Sequence, residues 1–297
     1  MRGGLLLFLA LSTCASGTAQ SLEQVLSRLS EEAEAFRLAA PNLLAREKLV
    51  QRSVRPGKRF RPRIGNAALE PPKPQYRTRE VISEYGFASF REAPGAIHEF
   101  RQVISVDNRG IATPEKARQS LTAGLRSEDD RLKKQLLETF EKYGLKGAVT
   151  DFGQVILLFT RRRLTDYSFA WESVARLGPD RARILYFRQT GGTASLEIFG
   201  SRRAVREPLQ GEIWLRMTDW LPLRVTLKVD RKNGDAVVRD EATVDYVTTP
   251  QGNLAPVSVT YRETAGGSVV VENLFQYSDF RAFQANAEVK FSGEGKQ

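Results

Sequence analysis

Few of the side chains that perform covalent or metal chemistry occur in this sequence, which contains a single histidine, His98, and a single cysteine, Cys14. Catalysis by a serine or cysteine nucleophile needs a histidine that is held by a third group, and metal centres need several ligands at set spacings. One histidine and one cysteine supply neither arrangement. We therefore predict no catalytic residue of this type, no metal and no cofactor, and we interpret His98 as a structural residue of a strand.

Carboxylate pairs are the remaining candidates for catalysis, because glycoside hydrolysis needs only two acids at a set separation. Asp240 and Glu241 are adjacent, but neighbouring residues of a strand point to opposite faces of the sheet. The triplet at 151–153, Asp-Phe-Gly, also occurs in kinases, yet the chain lacks their other loops and any Walker or dinucleotide fingerprint. The sequence thus favours a protein that is not an enzyme, and a carboxylate-based hydrolase is the less favoured alternative.

The formal charge of the chain, +10 from 45 basic and 35 acidic residues, favours partners that carry negative charge. One basic stretch without acids precedes a proline-rich segment, and we predict that it contacts an anionic membrane surface. Its basic residues are Arg52, Arg55, Lys58, Arg59, Arg61 and Arg63. A solvated connection without a partner is the alternative. A second basic run spans 161–163, but aromatic residues are not interleaved with either run, so no nucleic acid is predicted.

The beginning of the chain has the features of an export signal, with Arg2, an apolar run at 5–11 and small residues that end at Ala19. We predict cleavage after Ala19 and residence in the periplasm or cell envelope. A transmembrane anchor is disfavoured because the apolar run is far shorter than the ~20 residues that a spanning helix needs. Residues 11–14 resemble the lipobox of bacterial lipoproteins, so the alternative is a protein that is lipid-anchored through Cys14.

The last third of the chain alternates between apolar and polar residues, which is the period of a strand with one face turned to water. Within 221–229 every odd position is apolar. Three further segments, 238–247, 255–263 and 269–280, show the same alternation and are separated by turn-forming residues. The sequence therefore predicts an antiparallel meander in this region.

Helical periodicity marks the region that follows the signal. Apolar residues recur at helical spacing over 22–36, and Ser21 is placed to cap this helix. Pro41 interrupts the pattern, and a second short helix is predicted through residues 43–50. A helix with one apolar stripe needs an apolar surface to lie on, which the predicted sheet supplies.

A helical insertion is predicted before the long run of strands. Thr113 followed by Pro114 indicates the start of a helix, and a clearer helix over 127–143 has Ser127 as its expected cap. The predicted organisation is a signal peptide at 1–19, a helical region at 20–51, a basic, proline-rich connection at 52–75, a β domain at 76–285 with a helical insertion at 113–144, and a C-terminal tail at 286–297.

Four short motifs, at 211–214, 221–224, 252–256 and 277–280, resemble the LolA/LolB-like superfamily of bacterial outer-membrane lipoprotein carriers. The resemblance covers mainly residues 200–285. It implies a mainly β fold, in which an unclosed, bent antiparallel sheet, or half-barrel, is wrapped around or covered by amphipathic helices. It also implies an apolar cavity that holds acyl chains. The carrier's gating residues have no match here, so only the fold and the lipid-like class of ligand are carried over.

The apolar face of the meander is the predicted ligand site. Such a face must be shielded from water, either by helices that fill the core or by an apolar ligand. We predict a cavity for a lipid or acyl chain that has Trp220 at its mouth and is lined by Leu221, Leu223, Val225, Leu227, Val229, Val257, Val259 and Tyr261. The predicted function is that of an exported envelope protein in lipid or lipoprotein trafficking. The alternative is an envelope interaction or structural module with a filled core and no small ligand.

Overall fold

The computed structural model describes residues 21–55, 74–143, 151–194, 207–233 and 236–282. The predicted export signal, Cys14, and four of the basic residues expected at a membrane surface lie outside these ranges. Those four residues are Lys58, Arg59, Arg61 and Arg63.

Eleven strands form one antiparallel sheet in the described part of the chain. The strands are β1 (Leu43–Val54), β2 (Tyr76–Phe90), β3 (Ala93–Val106), β4 (Arg109–Gly110), β5 (Tyr167–Leu177), β6 (Asp180–Gln189), β7 (Gln210–Arg216), β8 (Pro222–Asn233), β9 (Ala236–Thr248), β10 (Leu254–Ala265) and β11 (Ser268–Ala282). The helices are α1 (Leu22–Ala39), α2 (Pro114–Arg126) and α3 (Asp130–Glu141), and short 3₁₀ helices span Ala40–Asn42, Val155–Phe159 and Leu164–Asp166.

The order of the strands is β4-β3-β2-β1-β11-β10-β9-β8-β7-β6-β5. Two meanders are therefore joined where β1 pairs with β11. Among the described residues β4 and β5, at the two ends of this order, do not pair with each other, so the sheet stays open. The predicted unclosed antiparallel half-barrel is confirmed.

One row of apolar side chains crosses ten strands on the face that α1 covers, which we call the inner face. The register places the row in the order Val106, Val81, Leu49, Phe275, Val259, Val244, Val225, Ile213, Leu185 and Trp171. All members are buried except Trp171, which is half-buried. Burial of each such side chain contributes about 1.5–3 kcal/mol, so this row is a main source of stability.

Helix α1 lies on the inner face and belongs to the core. Ser21 caps it as predicted, in a capping box with Gln24. Its apolar stripe is buried, and the ring of Phe36 makes edge contacts with Phe87 and Tyr246, with centroids 5.6 and 6.5 Å apart. The amphipathic pattern of this segment therefore predicted both its structure and its partner.

Residues 43–50 form the first part of strand β1, so the predicted second helix is wrong. The inward positions of this strand include Glu47 and Gln51, which are polar and yet fully buried. Polar residues at inward positions hid the period of two that marks a strand. The helical region consequently ends at residue 42, and Arg52, assigned to the basic connection, lies on β1.

Helices α2 and α3 pack on the opposite, outer face of β1–β3. A separate apolar cluster holds them there, formed by Leu44, Ala88, Phe100, Leu121 and Leu136. Thr113 caps α2 as predicted, but Asp129 rather than Ser127 caps α3, because Ser127 ends the preceding helix. Both faces of the sheet are thus covered by helices in this half. In the part of the chain described here, no helix is both long enough and apolar enough to cross a membrane.

Candidate functional site

The structure divides the residues that the sequence placed at a ligand site into two groups. The buried group consists of Val225, Leu227, Val229, Val259 and Tyr261, and the half-buried group of Trp220, Leu221, Leu223 and Val257. Both groups lie on β8, on β10 or in the turn before β8.

Two β-bulges explain why Leu223 and Val257 are only half-buried. Strand β8 has one extra residue opposite β7, because Trp214 pairs with Arg224 while Leu215 pairs with Pro222. Pro222 is therefore buried, and Leu223 lies at the bulge. An extra residue at Val257 breaks the β9 pairing of β10 in the same way. A bulge shifts the phase of alternation by one residue, so one count of odd positions does not hold on both sides of it.

A cavity of about 770 Å³ lies between α1, the start of β3 and residues 151–163, which we call the plug segment. Its apolar lining includes Ile97, Phe152, Val155, Leu158, Leu209 and Leu227. Only Leu227 comes from the predicted set. Val225, Val229 and Val259 belong instead to the packed core, in which side chains of the sheet contact α1 and the plug segment.

Hydrogen bonds and ring contacts hold the plug segment against the inner face. The hydroxyl of Tyr246 donates to the carbonyl of Gly153 at 3.1 Å and accepts from the amide of Ile156 at 3.1 Å. The ring of Phe152 stacks on Tyr261 with centroids 5.5 Å apart, which removes Tyr261 from the cavity. These anchors hold a segment in which the 3₁₀ helix Val155–Phe159 is flanked by irregular backbone, so that it lines the cavity.

The plug segment also contacts β3 at the edge of the cavity. Oδ2 of Asp151 lies 3.2 Å from Nδ1 of His98, and its Oδ1 accepts from the amide of Glu99 at 3.2 Å. His98 therefore helps to attach the plug segment, as expected of a structural residue. The Asp-Phe-Gly triplet thus begins this anchored segment.

Trp220 lies in the turn between β7 and β8, away from the cavity lining described above. Its backbone has a φ of 61°, a left-handed conformation that is uncommon for a bulky residue. Its ring lies beside that of Trp171 on the edge strand β5, with centroids 5.9 Å apart. We therefore expect the fluorescence of Trp220 to report on this edge rather than on the cavity.

A buried group of charges, which we call the inner cluster, was not predicted from the sequence. Nε of Arg101 donates to both carboxylate oxygens of Glu47 at 2.8 Å, and its Nη2 donates to Oε2 of Glu99 at 2.6 Å. All three side chains are at most 2% exposed. The rings of Tyr85 and Phe140 flank the guanidinium, each with a centroid 5.1 Å away. Glu99 and Arg101 lie two residues apart on β3 and therefore share a face. This spacing was the only feature of the sequence that could have indicated the inner cluster.

Burial changes the acid chemistry of the inner cluster. It raises the pKa of Glu99 from 4.5 to about 8, although the neighbouring Arg101 guanidinium opposes the shift. Oε1 of Glu99 has no hydrogen-bond partner among the described residues, which also disfavours the charged form. Burial likewise raises the pKa of Tyr85 and of Tyr277 well above 10. The cluster therefore places a carboxyl group with a raised pKa inside the core.

The rim of the cavity, in contrast to its floor, is polar. Glu34 and Arg37 of α1 form an ion pair of 2.7 Å at one side, and Arg162 and Arg163 of the plug segment lie at the rim as well. Within the described ranges, no three His, Cys, Asp or Glu side chains are grouped so that they could hold a metal. The cavity has the geometry to hold an apolar ligand, and charged groups surround its opening.

No protein-family model matches this sequence, and no curated protein matches it either. Solved structures with a similar fold include a LolA superfamily protein from Nitrosomonas europaea, which is 10% identical, with 89% of this chain and 94% of that chain covered and a TM-score of 0.33. A candidate outer membrane lipoprotein-sorting protein domain from Vibrio parahaemolyticus is 11% identical, with 90% of this chain and 95% of that chain covered and a TM-score of 0.35.

A third similar structure is a DUF1329 family protein from Desulfovibrio piger. It is 8% identical, with 89% of this chain and 98% of that chain covered and a TM-score of 0.34. All three scores lie below 0.5, so the function proposed for this chain rests on its own sequence and geometry.

Proposed function

We propose that this protein binds the apolar part of a lipid, such as an acyl chain, in the cavity beside Leu227. The observation that carries the proposal is a cavity of about 770 Å³ inside the half-barrel that has an apolar floor and a polar rim. Binding pockets in proteins commonly enclose about 300–1,000 Å³ and are lined mainly by apolar side chains. An acyl chain has the shape and the polarity that such a space accepts.

The proposed setting is the bacterial envelope, with a role in lipid or lipoprotein trafficking. The export-signal features at 1–19 support this setting, and anchoring through Cys14 is the alternative form. Arg52 and Arg55 are exposed at the end of β1, and contact of this basic end with an anionic membrane surface belongs to the same proposal.

An interaction module with a filled core is the second candidate. The observation that favours it is that Val225, Val229 and Val259 pack against other side chains, so most of the apolar face is already covered. The two candidates differ in one property, which is saturable binding of an apolar ligand.

Titration of delipidated full-length protein with a fluorescent fatty acid tests the proposal. We expect saturable binding by the wild type and a loss of about tenfold or more in affinity for Leu227→Arg and Leu157→Trp. The first places a charge in an apolar lining, which is costly, and the second fills part of the cavity with a larger side chain. Leu223→Arg is the matched control, because this residue lies in the same strand but at the bulge.

Circular dichroism and thermal unfolding of each variant show whether it folds. Leu157 is only half-buried, so the tryptophan variant keeps the test informative if Leu227→Arg fails to fold. Absence of saturable binding by folded wild-type protein would overturn the proposal and leave the filled-core module.

A further inference from the structure

We propose that the ligand is an anionic amphiphile whose carboxylate or phosphate head group is bound by Arg162 and Arg163 at the rim of the cavity. This inference rests on the proposed function, because it assumes that the apolar chain of the same molecule occupies the cavity. It adds the charge and chemical class of the head group, which the apolar lining alone does not define.

Three consecutive arginines follow the 3₁₀ helix of the plug segment, and only two of them line the cavity. Arg162 and Arg163 belong to its rim, whereas Arg161 is not among the lining residues. All three are exposed. The turn that carries them is held by hydrogen bonds from the amides of Arg163 and Leu164 to the carbonyl of Thr160, at 2.8 and 3.1 Å. The backbone under the two rim arginines is therefore fixed.

The acids at the rim are already engaged by other groups. Glu34 forms its ion pair with Arg37, and Asp151 lies against His98 and accepts from the amide of Glu99. Within the described ranges no ion pair joins Arg162 or Arg163 to an acid. The two rim arginines thus leave an excess of positive charge where the apolar cavity opens.

Guanidinium groups bind carboxylates and phosphates with paired, charge-assisted hydrogen bonds. A molecule with an apolar chain in the cavity brings its head group to the rim, because the head group stays hydrated while the chain leaves water. An anionic head group there gains an attraction that a neutral one lacks. Charge complementarity at the rim therefore selects anionic amphiphiles.

Three probes that share one oleoyl chain separate the head group from the chain: oleate, oleoyl lysophosphatidic acid and monooleoylglycerol. We expect delipidated full-length protein to bind both anionic probes about tenfold or more tightly than the neutral one. The substitutions Arg162→Gln and Arg163→Gln together should remove this preference and leave the affinity for monooleoylglycerol unchanged. A preference of the wild type for oleate or for the lysophosphatidate then identifies the head group as carboxylate or phosphate.

Arg161→Gln is the matched control, because it removes one charge of the same run without changing the rim. An equal loss of anionic binding in this control and in the single variants Arg162→Gln and Arg163→Gln would overturn the inference, since it would indicate general attraction to a basic surface. Equal affinity of the wild type for all three probes would also overturn it while supporting the cavity itself. Failure to bind any probe would overturn both proposals.

Discussion

The two faces of the sheet carry similar arrays of opposite charges in different surroundings. On the inner face, Arg101 lies between the carboxylates of Glu47 and Glu99. On the outer face, five charged residues of alternating sign occupy adjacent positions on β8, β9, β10, β11 and β1, and we call them the outer ladder. Its members, in this order, are Lys228, Glu241, Arg262, Glu272 and Arg52.

The distances in the two arrays are alike, but the exposure of the side chains is not. Nε of Arg262 lies 2.7 Å from Oε1 of Glu272, and Nη2 of Arg101 lies 2.6 Å from Oε2 of Glu99. The side chain of Arg262 is 54% exposed, whereas that of Arg101 is 2% exposed. Water weakens charge interactions at the surface, while burial makes an unpaired charge very costly. The surroundings therefore determine how much the loss of a charge in each array lowers the stability of the fold.

Loss of one partner should have its largest effect in the inner cluster. Arg101→Leu leaves the carboxylate of Glu47 buried without its cation, and we expect the free energy of unfolding to fall by about 3–5 kcal/mol. Arg262→Leu, the matched change in the outer ladder, should cost about 0.2–1 kcal/mol. Urea denaturation of both variants measures the difference. Equal losses in the two variants would show that burial does not control these interactions.

The pH dependence of stability should also distinguish the inner cluster. Because the pKa of Glu99 rises from 4.5 unfolded to about 8 folded, the folded state retains a proton that the unfolded state releases. Stability from this group therefore falls as pH rises from 4.5 to 8, by about 1.4 kcal/mol per pH unit at most. The difference in unfolding free energy between wild type and Glu99→Gln, measured across this range, isolates the effect. The stability of the wild type minus that of Glu99→Gln should therefore fall as pH rises, and a value that stays constant or increases would contradict the prediction.

The smallest expected effect belongs to the outer ladder and depends on salt. Glu272 lies between Arg262 and Arg52 on neighbouring strands. Glu272→Gln should lower the unfolding free energy by about 0.2–1 kcal/mol at low ionic strength. In about 1 M NaCl, where charges are screened within about 3 Å, the loss should disappear. A loss that persists at high salt would mean that Glu272 acts through packing or hydrogen bonding instead.

The sequence predicted the elements in which most inward positions are apolar. Strands β8 to β11 and helix α1 show their periods clearly, because apolar residues occupy most of their buried positions. Asp240 of β9 and Asn273 of β11 are the buried polar exceptions on these strands. Strand β1 was mistaken for a helix because Glu47 and Gln51 occupy inward positions, each with a buried polar partner on another strand. Those partners, Arg101 and Asn273, are distant in the chain, so alternation within one segment cannot reveal them.

The cavity was predicted less well than the sheet, for two physical reasons. Its lining comes largely from the plug segment, which has no regular period and acquires its position through anchors such as Tyr246. The bulges at Leu223 and Val257 also shift residues that simple alternation placed on one face. Leu227 was found because it lies beyond the bulge, where the alternation holds. That this lining holds a ligand remains a prediction.

The pairing of β1 with β11 has a consequence for how the chain folds. The buried side chains of Gln51 and Asn273 form a hydrogen bond of 2.7 Å although they are 222 positions apart in sequence. During synthesis, β1 exists long before the strand that completes its hydrogen bonding and covers its polar inward side chain. Contacts of such wide separation must overcome a large loop-closure entropy, so folding should be slow. The half-barrel is therefore completed only after the last strand has left the ribosome, and the chain can remain unfolded until then.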